Sequence, residues 1–200
     1  MVRLPDPLYR AVAPLSASHA RWHLAREPKR LRLPGLEPEF AGLILVGEPG
    51  SGEQFLEYHR ELLKAFEPHA REAPGGDALL RPWREIPFWL SRFFSWAQPE
   101  YLAGALGRLR EIVQTGSADE LGRFLELPPR AEQPFGGLHE AAHRMVAIYE
   151  RHRFGDDHPG LEDAGMGSPE TSPQNEHFWG LHGWIDGMYE RILTRRDRPL

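Results

Sequence analysis

The chain has 200 residues, of which 40% are hydrophobic and 26% are charged, and its formal net charge is -5. This length and composition are typical of a globular protein with one hydrophobic core, so we expect a single domain over residues 1–200. The acidic balance gives no reason to expect a nucleic acid or an anionic membrane surface as partner. The absence of cysteine excludes disulfides, thiolate metal sites and thiol nucleophiles.

The first residues, MVRLPDPLYRAVAPL, contain prolines where a secretory signal peptide needs an unbroken apolar stretch. No apolar run reaches the ~18 residues that a membrane-spanning helix needs. The sequence therefore predicts a cytoplasmic protein with no membrane partner.

The hydrophobic pattern predicts an all-α protein. A first helix is expected over residues 16–27, because Ser16 is a good N-cap residue and Pro28 cannot continue the helix. Residues 28–52 contain prolines and glycines around the apolar piece FAGLILVG, and a short strand and a buried segment explain that piece equally well.

The clearest amphipathic helix is predicted over residues 53–71, and Pro68 is expected to end or kink it. Residues 153–175 form a long polar loop, and loops of that length inside a compact domain are usually functional. Further helices are predicted at 87–96, at 99–115, at 118–126 with Ser117 as N-cap, at 138–152 and at 178–193.

Four histidines lie in line with hydrophobic residues on these predicted helices, because positions three and four apart share a helix face. They are His59, His139, His143 and His182. Burial of an imidazole in apolar surroundings costs roughly 1–3 kcal/mol unless the ring is hydrogen-bonded or bound to a metal. A single inward histidine is more often a hydrogen-bonded core residue than a ligand, but four of them call for a further explanation.

The segment HEAAH places His139 and His143 at positions i and i+4, so that one metal ion can bridge them, and imidazole suits copper and zinc. Glu140 directly follows the first histidine, as in zinc hydrolases, where that glutamate is the general base. A zinc hydrolase would also need a third ligand, such as His152 or Glu162, and no further zinc-protease pattern follows. Both interpretations are open from these residues alone.

The segment LHEAAH and the later GMGSPETSPQNEHFWGLHGWIDGMYERI resemble the second-copper half of the tyrosinase and hemocyanin family. The family pattern is Leu-His-Asn-x-x-His, then a loop, then Ser-Pro-Asn-Asp-Pro-x-Phe-x-Leu-His-His-x-x-x-Asp. The residues of this chain in register with the second part are Ser172, Pro173, Phe178, His182 and Asp186.

An upstream segment resembles the first-copper half of the same family. FLEYHRELLKAFE is similar to Phe-Leu-x-Trp-His-Arg-x-x-Leu-x-x-Phe-Glu, with Tyr58 in place of the tryptophan and His59 at the ligand position. Together the motifs span about residues 53–193 in the family's order. The resemblance implies a helical bundle of the tyrosinase type with long connecting loops. It also implies that one copper ion is held by His139, His143 and His182.

The first-copper half departs from the family. Its middle ligand normally lies nine residues before the last, and Gly50 stands there. His19 and His23, again at i and i+4, are the upstream candidates, although the polar face of a terminal helix explains them equally well. We therefore expect one copper ion, the alternative being that His19 or His23 joins His59 in a second site. The other histidines are expected to be exposed, with His177 as the alternative fourth ligand: His69, His152, His158 and His177.

The resemblance implies an oxidoreductase that uses copper and dioxygen on a small phenolic or catecholic compound, or on a peptide-borne aromatic group. Glu140, in place of the family's asparagine, would act as a base, and Asp186 would orient a ligating histidine or cap a helix. The second hypothesis is a non-enzymatic copper or dioxygen-binding protein that has lost the first site, and the third is the zinc hydrolase. The oligomeric state does not follow from the sequence.

Overall fold

A computed structural model describes residues 3–27 and 42–197 of the chain. Within these ranges the chain forms α helices and no β sheet, so the predicted all-α fold is confirmed. No helix in the described ranges is long and apolar enough to cross a membrane. The helices are α1 (Asp6–Arg26), α2 (Ser51–Glu72), α3 (Phe88–Ala97), α4 (Tyr101–Thr115), α5 (Ala118–Glu126), α6 (Leu138–Phe154), α7 (Pro159–Ala164) and α8 (Glu176–Arg196).

Helix α1 begins at Asp6, so the prediction of a start at Ser16 was wrong. A proline stands in its first turn, where the missing N–H is not needed, and this stabilises an early start. Ser16 lies inside the helix, where its hydroxyl donates a hydrogen bond to the carbonyl of Val12 at 3.3 Å. Pro14 is also accommodated within α1.

Helix α2 runs through Pro68 to Glu72, so the proline does not end it. Phe66 and Ala70, on either side of Pro68, are fully buried, and their packing holds both segments in one helix. The predicted features at residues 28–41 lie outside the described residues. The described part of the apolar piece, residues 42–47, contains no strand.

The predicted polar loop 153–175 contains the short helix α7 and a 3₁₀ turn at Ser172–Gln174. Asn175 follows this turn and caps α8, because its side-chain oxygen accepts a hydrogen bond from the His177 N–H at 2.9 Å. The Nδ2 group of Asn175 donates to Glu150 Oε1 and to the Ala164 carbonyl, both at 2.7 Å. This one buried side chain therefore joins α6, α7 and α8.

The central helices meet at close range. A Cβ atom on Gly52 of α2 or on Gly122 of α5 would collide with the backbone of the other helix, so both positions require glycine. The predicted N-cap of α5 is confirmed, since the Ser117 hydroxyl accepts a hydrogen bond from the Glu120 N–H at 3.1 Å. The close contact of α2 with α5 at Gly52 and Gly122 fixes the position of α2 in the bundle, and this determines which of its side chains point inward.

A fully buried arginine ends α1 and ties it to two other helices. Arg26 donates from Nη1 to Glu126 Oε1 at 2.5 Å and from Nη2 to Glu126 Oε2 at 3.1 Å. It also donates to the Ser51 carbonyl at 2.6 Å and to the Ile44 carbonyl at 3.2 Å. The guanidinium lies 4.2 Å above the ring of Trp22. These contacts dock the C-terminal end of α1 against α2 and α5.

Candidate metal centre

Six of the ten histidines point into one buried cluster, and they come from four helices. Three of them have only 1–2% of their surface exposed, a fourth has 9%, and the remaining two are half-buried. We call these residues the histidine cluster: His19 and His23 of α1, His59 of α2, His139 and His143 of α6, and His182 of α8.

The first group within the cluster consists of His19, His23 and His59, whose ligand nitrogens all lie within 4.8 Å of one another. His23 Nε2 is 3.1 Å from His19 Nε2. His59 Nε2 is 3.3 Å from the same His19 atom. These separations allow the three nitrogens to bind one metal ion.

The second group consists of His59, His139 and His182, with ligand nitrogens again within 4.8 Å. His139 Nε2 is 3.0 Å from His182 Nε2, and the His59 and His182 rings stack with centroids 4.7 Å apart. His143 lies beside His139, and its buried Nε2 has no hydrogen-bond partner. Because His59 is shared, the two groups are direct neighbours.

Backbone carbonyls fix the orientation of four of the rings. Because a carbonyl only accepts hydrogen bonds, each of these Nδ1 atoms carries the proton, and the Nε2 lone pair of the neutral ring points into the cluster. The Nδ1 donors and their acceptors are His19 with Pro169 at 2.9 Å, His59 with Phe55 at 2.8 Å, His143 with Met166 at 2.9 Å and His182 with Phe178 at 2.8 Å.

This arrangement calls for a cation. The lone pairs of His19 Nε2 and His59 Nε2 face each other at 3.3 Å, and neither neutral ring has a proton to place between them. Protonation is not the remedy, because burial lowers the pKa of His59 well below its usual value and that of His19 to about 4. The orphaned Nε2 of His143 points to the same need. Metal binding at the cluster would give these lone pairs a partner.

The donor chemistry restricts the kind of metal. Both groups contain only histidine, and among the described residues no carboxylate joins either of them. Neutral imidazoles suit copper and zinc, whereas magnesium, calcium and manganese prefer carboxylates and other oxygen ligands. The buried triads could therefore hold a metal ion that accepts imidazole ligands.

The low histidine pKa values predict an acid-sensitive metal-free protein. Burial lowers the pKa of His19 and of His143 to about 4, whereas unfolded histidine titrates near ~6.5. Between these values the unfolded chain binds protons that the folded chain does not, so stability is fully present above pH ~6.5 and falls as the pH drops towards 4. Each such histidine should contribute about 1.4 kcal/mol per pH unit, measurable by urea unfolding at a series of pH values.

His143→Gln should make this pH dependence shallower, because one titrating group is removed. His152→Gln is the matched control on the same helix, because His152 is exposed. Its free energy of unfolding should depend on pH as that of the unmodified protein does. A stability that stays constant from pH 7 to pH 4.5 would contradict the neutral, buried state of these rings.

The structure brings together all of the histidines that the sequence singled out as metal ligands: His23, His59, His139, His143 and His182. His19 and His23, which the sequence offered as alternatives, both lie beside His59. Gly50 is the N-cap of α2 with φ of 88°.

The two predicted catalytic residues lie elsewhere. Glu140 is exposed and accepts a hydrogen bond from Arg144 Nη2 at 3.0 Å on the outer side of α6. Asp186 Oδ1 accepts from Arg60 Nε at 2.5 Å, while the Nδ1 of His182 donates to a backbone carbonyl instead. Within the described hydrogen bonds, neither carboxylate contacts the histidine cluster. Both carboxylates thus pair with arginines, and the roles expected of them stay predictions.

The remaining histidines only partly follow expectation. His152 is exposed, as predicted, but His69 and His158 are half-buried. The prediction of an exposed His177 was wrong, because its ring packs 4.9 Å from that of Trp89 and burial lowers its pKa to about 4. His177 makes no described contact with the histidine cluster.

Sequence analysis missed the two carbonyls of the α7–α8 connection that orient histidines. Met166 accepts from His143, and Pro169 accepts from His19, so one short segment contacts both ends of the cluster. Every residue type has a backbone carbonyl, so the sequence does not show which carbonyls accept hydrogen bonds from histidines. The one signal in the sequence was that GMGSPET belongs to the segment that resembles the copper family. Thr171 Oγ1, which donates to the Gly165 carbonyl at 2.7 Å, closes this segment into a loop.

Comparison with known proteins yields no relative: no protein-family model, no curated protein and no solved structure matches the chain.

Proposed function

We propose that this protein is a copper-dependent oxidoreductase with two copper sites, which acts with dioxygen on small phenolic or catecholic compounds or on peptide-borne aromatic groups. One ion would be held by His19, His23 and His59. The other would be held by His139, His143 and His182. The observation that carries the proposal is the pair of Nε2 lone pairs of His19 and His59 that face each other at 3.3 Å with no proton between them.

Two sites account for the cluster better than one. A single ion with three ligands would leave the other inward nitrogens unsatisfied in a buried place, at a cost of roughly 1–3 kcal/mol for each. Two three-histidine sites use all six rings, and each keeps positions open for a small molecule. Two adjacent copper ions, when bound, supply together the two electrons for dioxygen that one copper ion cannot supply alone.

The residues of the chain prepare this centre in two ways. The carbonyl partners of Nδ1 hold the rings in one tautomer and one orientation, so that little reorganisation is needed on metal binding. Apolar rings exclude water from the cluster: Phe178 stacks on His182 with centroids 3.8 Å apart, and Phe55 packs 4.4 Å from His59. The half-buried His23 and His143 mark the side from which a small substrate would approach.

A copper or dioxygen-binding protein without catalysis is the second candidate. The observation that favours it is the low exposure of His19, His59, His139 and His182, at 9% or less, which restricts access for a ring as large as a phenol. The zinc hydrolase has less support, because Glu140 pairs with Arg144 at the surface instead of facing the metal ligands.

The proposal is tested by titrating the metal-free protein with copper and counting bound ions against the spins seen by electron paramagnetic resonance. We expect two ions per chain, with a largely silent signal for the oxidised protein because the two ions couple. One ion and one spin per chain would overturn the two-site proposal. Oxidation of a catechol by the loaded protein, followed by absorbance, then separates the oxidoreductase from the binding protein.

A further inference from the structure

A groove with a volume of about 650 Å³ runs between α4, α8 and the segment 82–86. Sites for small molecules usually have volumes of about 300–1,000 Å³, so the groove is large enough for a ligand of that kind. None of the histidines of the cluster lines it. A ligand in this groove would therefore not touch the candidate metal ligands.

Two glycines of α8 shape the groove in different ways. A Cβ atom on Gly183 would lie 3.0 Å from Pro82, so this glycine lets the segment 82–86 pack against the helix. Gly187 also lines the groove, but a Cβ atom there would meet open space. Glycine is a poor helix former, and no contact of the described residues requires it at this position inside α8. Its missing side chain keeps the groove open.

The floor of the groove is apolar, and one wall is aromatic. Leu102, Leu109 and Met188 are buried beneath it, and Val113 continues this surface along α4. The half-buried Trp184 adds a flat indole ring, whose N–H has no hydrogen-bond acceptor among the described residues. Burial of an apolar group against these side chains would remove apolar surface from water, which is favourable.

The charges around this floor are mainly positive. Each of the three sides contributes one arginine: Arg84 from the segment 82–86, Arg110 from α4 and Arg191 from α8. In the described part of the chain, none of their guanidinium groups has an ion pair or a hydrogen bond. Glu85 is the one carboxyl group among the residues that line the groove. The lining thus has an excess of positive charge, although the net charge of the chain is -5.

The combination of an apolar floor with unpaired arginines selects the class of ligand. Guanidinium groups donate hydrogen bonds and accept none, and they pair well with carboxylates, so the groove disfavours a cation. An inorganic anion would leave the apolar floor unused. We propose that this groove binds a small amphiphilic anion, a carboxylate on a flat aromatic ring system. The ring would lie against Trp184, and the carboxylate would pair with the arginines.

The test uses the metal-free, full-length protein at pH 8, so that its result does not depend on the proposed copper chemistry. Sodium 2-naphthoate is added at constant ionic strength, and protein signals are followed by nuclear magnetic resonance. We expect saturable shifts of the Trp184 indole N–H and of the Gly183 and Gly187 amides. 2-Naphthamide has the same ring without the charge and should bind about tenfold more weakly. Sodium sulfate, which has the charge without the ring, should give no saturable shift.

Gly187→Leu fills the groove without changing any charge, and it should weaken the binding of 2-naphthoate by about tenfold. Gly107→Leu is the matched control, because Gly107 lies inside α4, also faces open space and does not line the groove. Its affinity should equal that of the unmodified protein. Both variants should keep or raise the melting temperature, since leucine is the better helix former. Arg191→Gln should also weaken binding, by about fivefold, and leave the melting temperature unchanged.

Three results would each overturn the proposal. The first is a set of shifts that rise linearly with 2-naphthoate and do not saturate. The second is equal affinity for 2-naphthoate in Gly187→Leu and in the unmodified protein. The third is binding of 2-naphthamide or sulfate as tightly as 2-naphthoate, because the ring and the charge would then not both be recognised.

Discussion

Replacing His182 by alanine is expected to reduce the bound copper from two ions per chain to one and to make the remaining ion visible as a full spin. His182 lies between His139 and His59, with its Nε2 3.0 Å from His139 Nε2. The other histidine of its helix, His177, packs against Trp89 and makes no described contact with the cluster, so α8 offers no second ligand. Loss of a residue that merely supports a ligand already lowers metal affinity about 10–100-fold, so loss of the ligand should exceed this.

The complementary variant is His59→Ala. It should also leave one ion, held by His139, His143 and His182, because the proposal assigns His59 to the other site. Copper is counted by atomic absorption after dialysis and compared with the spin count. Loss of both ions in His59→Ala would contradict the assignment of His143 to the second copper, since His59 belongs geometrically to both groups.

The matched control for these variants is His152→Ala, which removes an exposed imidazole from α6 without touching the cluster. It should still bind two copper ions with a largely silent signal. If His182→Ala also bound two ions with unchanged affinity, the second site would be wrong. Circular dichroism verifies that each variant keeps its helices.

The largest effect on stability is expected for Arg26→Met, which should lower the free energy of unfolding by about 3–5 kcal/mol. The variant leaves the Glu126 carboxylate without its partner, and that side chain is only 9% exposed. It also removes the donors to the Ser51 and Ile44 carbonyls. Burial raises the pKa of Glu126 to about 7 against the opposing influence of Arg26, so the measurement is made at pH 8, where the carboxyl group of the unmodified protein is ionised.

Urea unfolding followed by tryptophan fluorescence measures this loss, which corresponds to a midpoint lower by about 1.5–2.5 M at a typical slope. The double variant Arg26→Met/Glu126→Leu should recover much of the stability, because no unpaired charge is left in the interior. Arg144→Met is the control at the exposed pair with Glu140 and should change nothing measurable. A loss below about 1 kcal/mol in Arg26→Met would mean that Glu126 is already protonated or reached by water.

The helices that were predicted best have strong local signals. The N-cap of α5 at Ser117 and the amphipathic helix α2 are both encoded by residues that are close together in the chain. Both predictions agree with the fold. The start of α1 and the continuation of α2 through Pro68 were missed. The early start of α1 is stabilised by a proline in its first turn, whereas in α2 the burial of Phe66 and Ala70 outweighs the local stop signal of Pro68. Burial depends on residues far away in the sequence.

The prediction of the histidine cluster likewise succeeded where the signal is local and failed where it depends on packing. The i and i+4 spacing of HEAAH, together with the inward His59 and His182, was sufficient to predict a histidine cluster. Spacing alone could not say whether His19 and His23 belong to it. That depends on the docking of α1, which the buried pair of Arg26 and Glu126, separated by 100 residues, holds in place.

The sequence by itself thus determined the helical class and most of the inward histidines, because these follow from residue chemistry and helix periodicity. Only the tertiary structure decided that two triads lie side by side, that Glu140 and Asp186 pair with arginines, and that the carbonyls of Met166 and Pro169 orient the rings. The physical reason is that the partners of a helix face are decided only when the helix packs against its neighbours. A backbone carbonyl likewise becomes a partner only when a distant ring is brought to it.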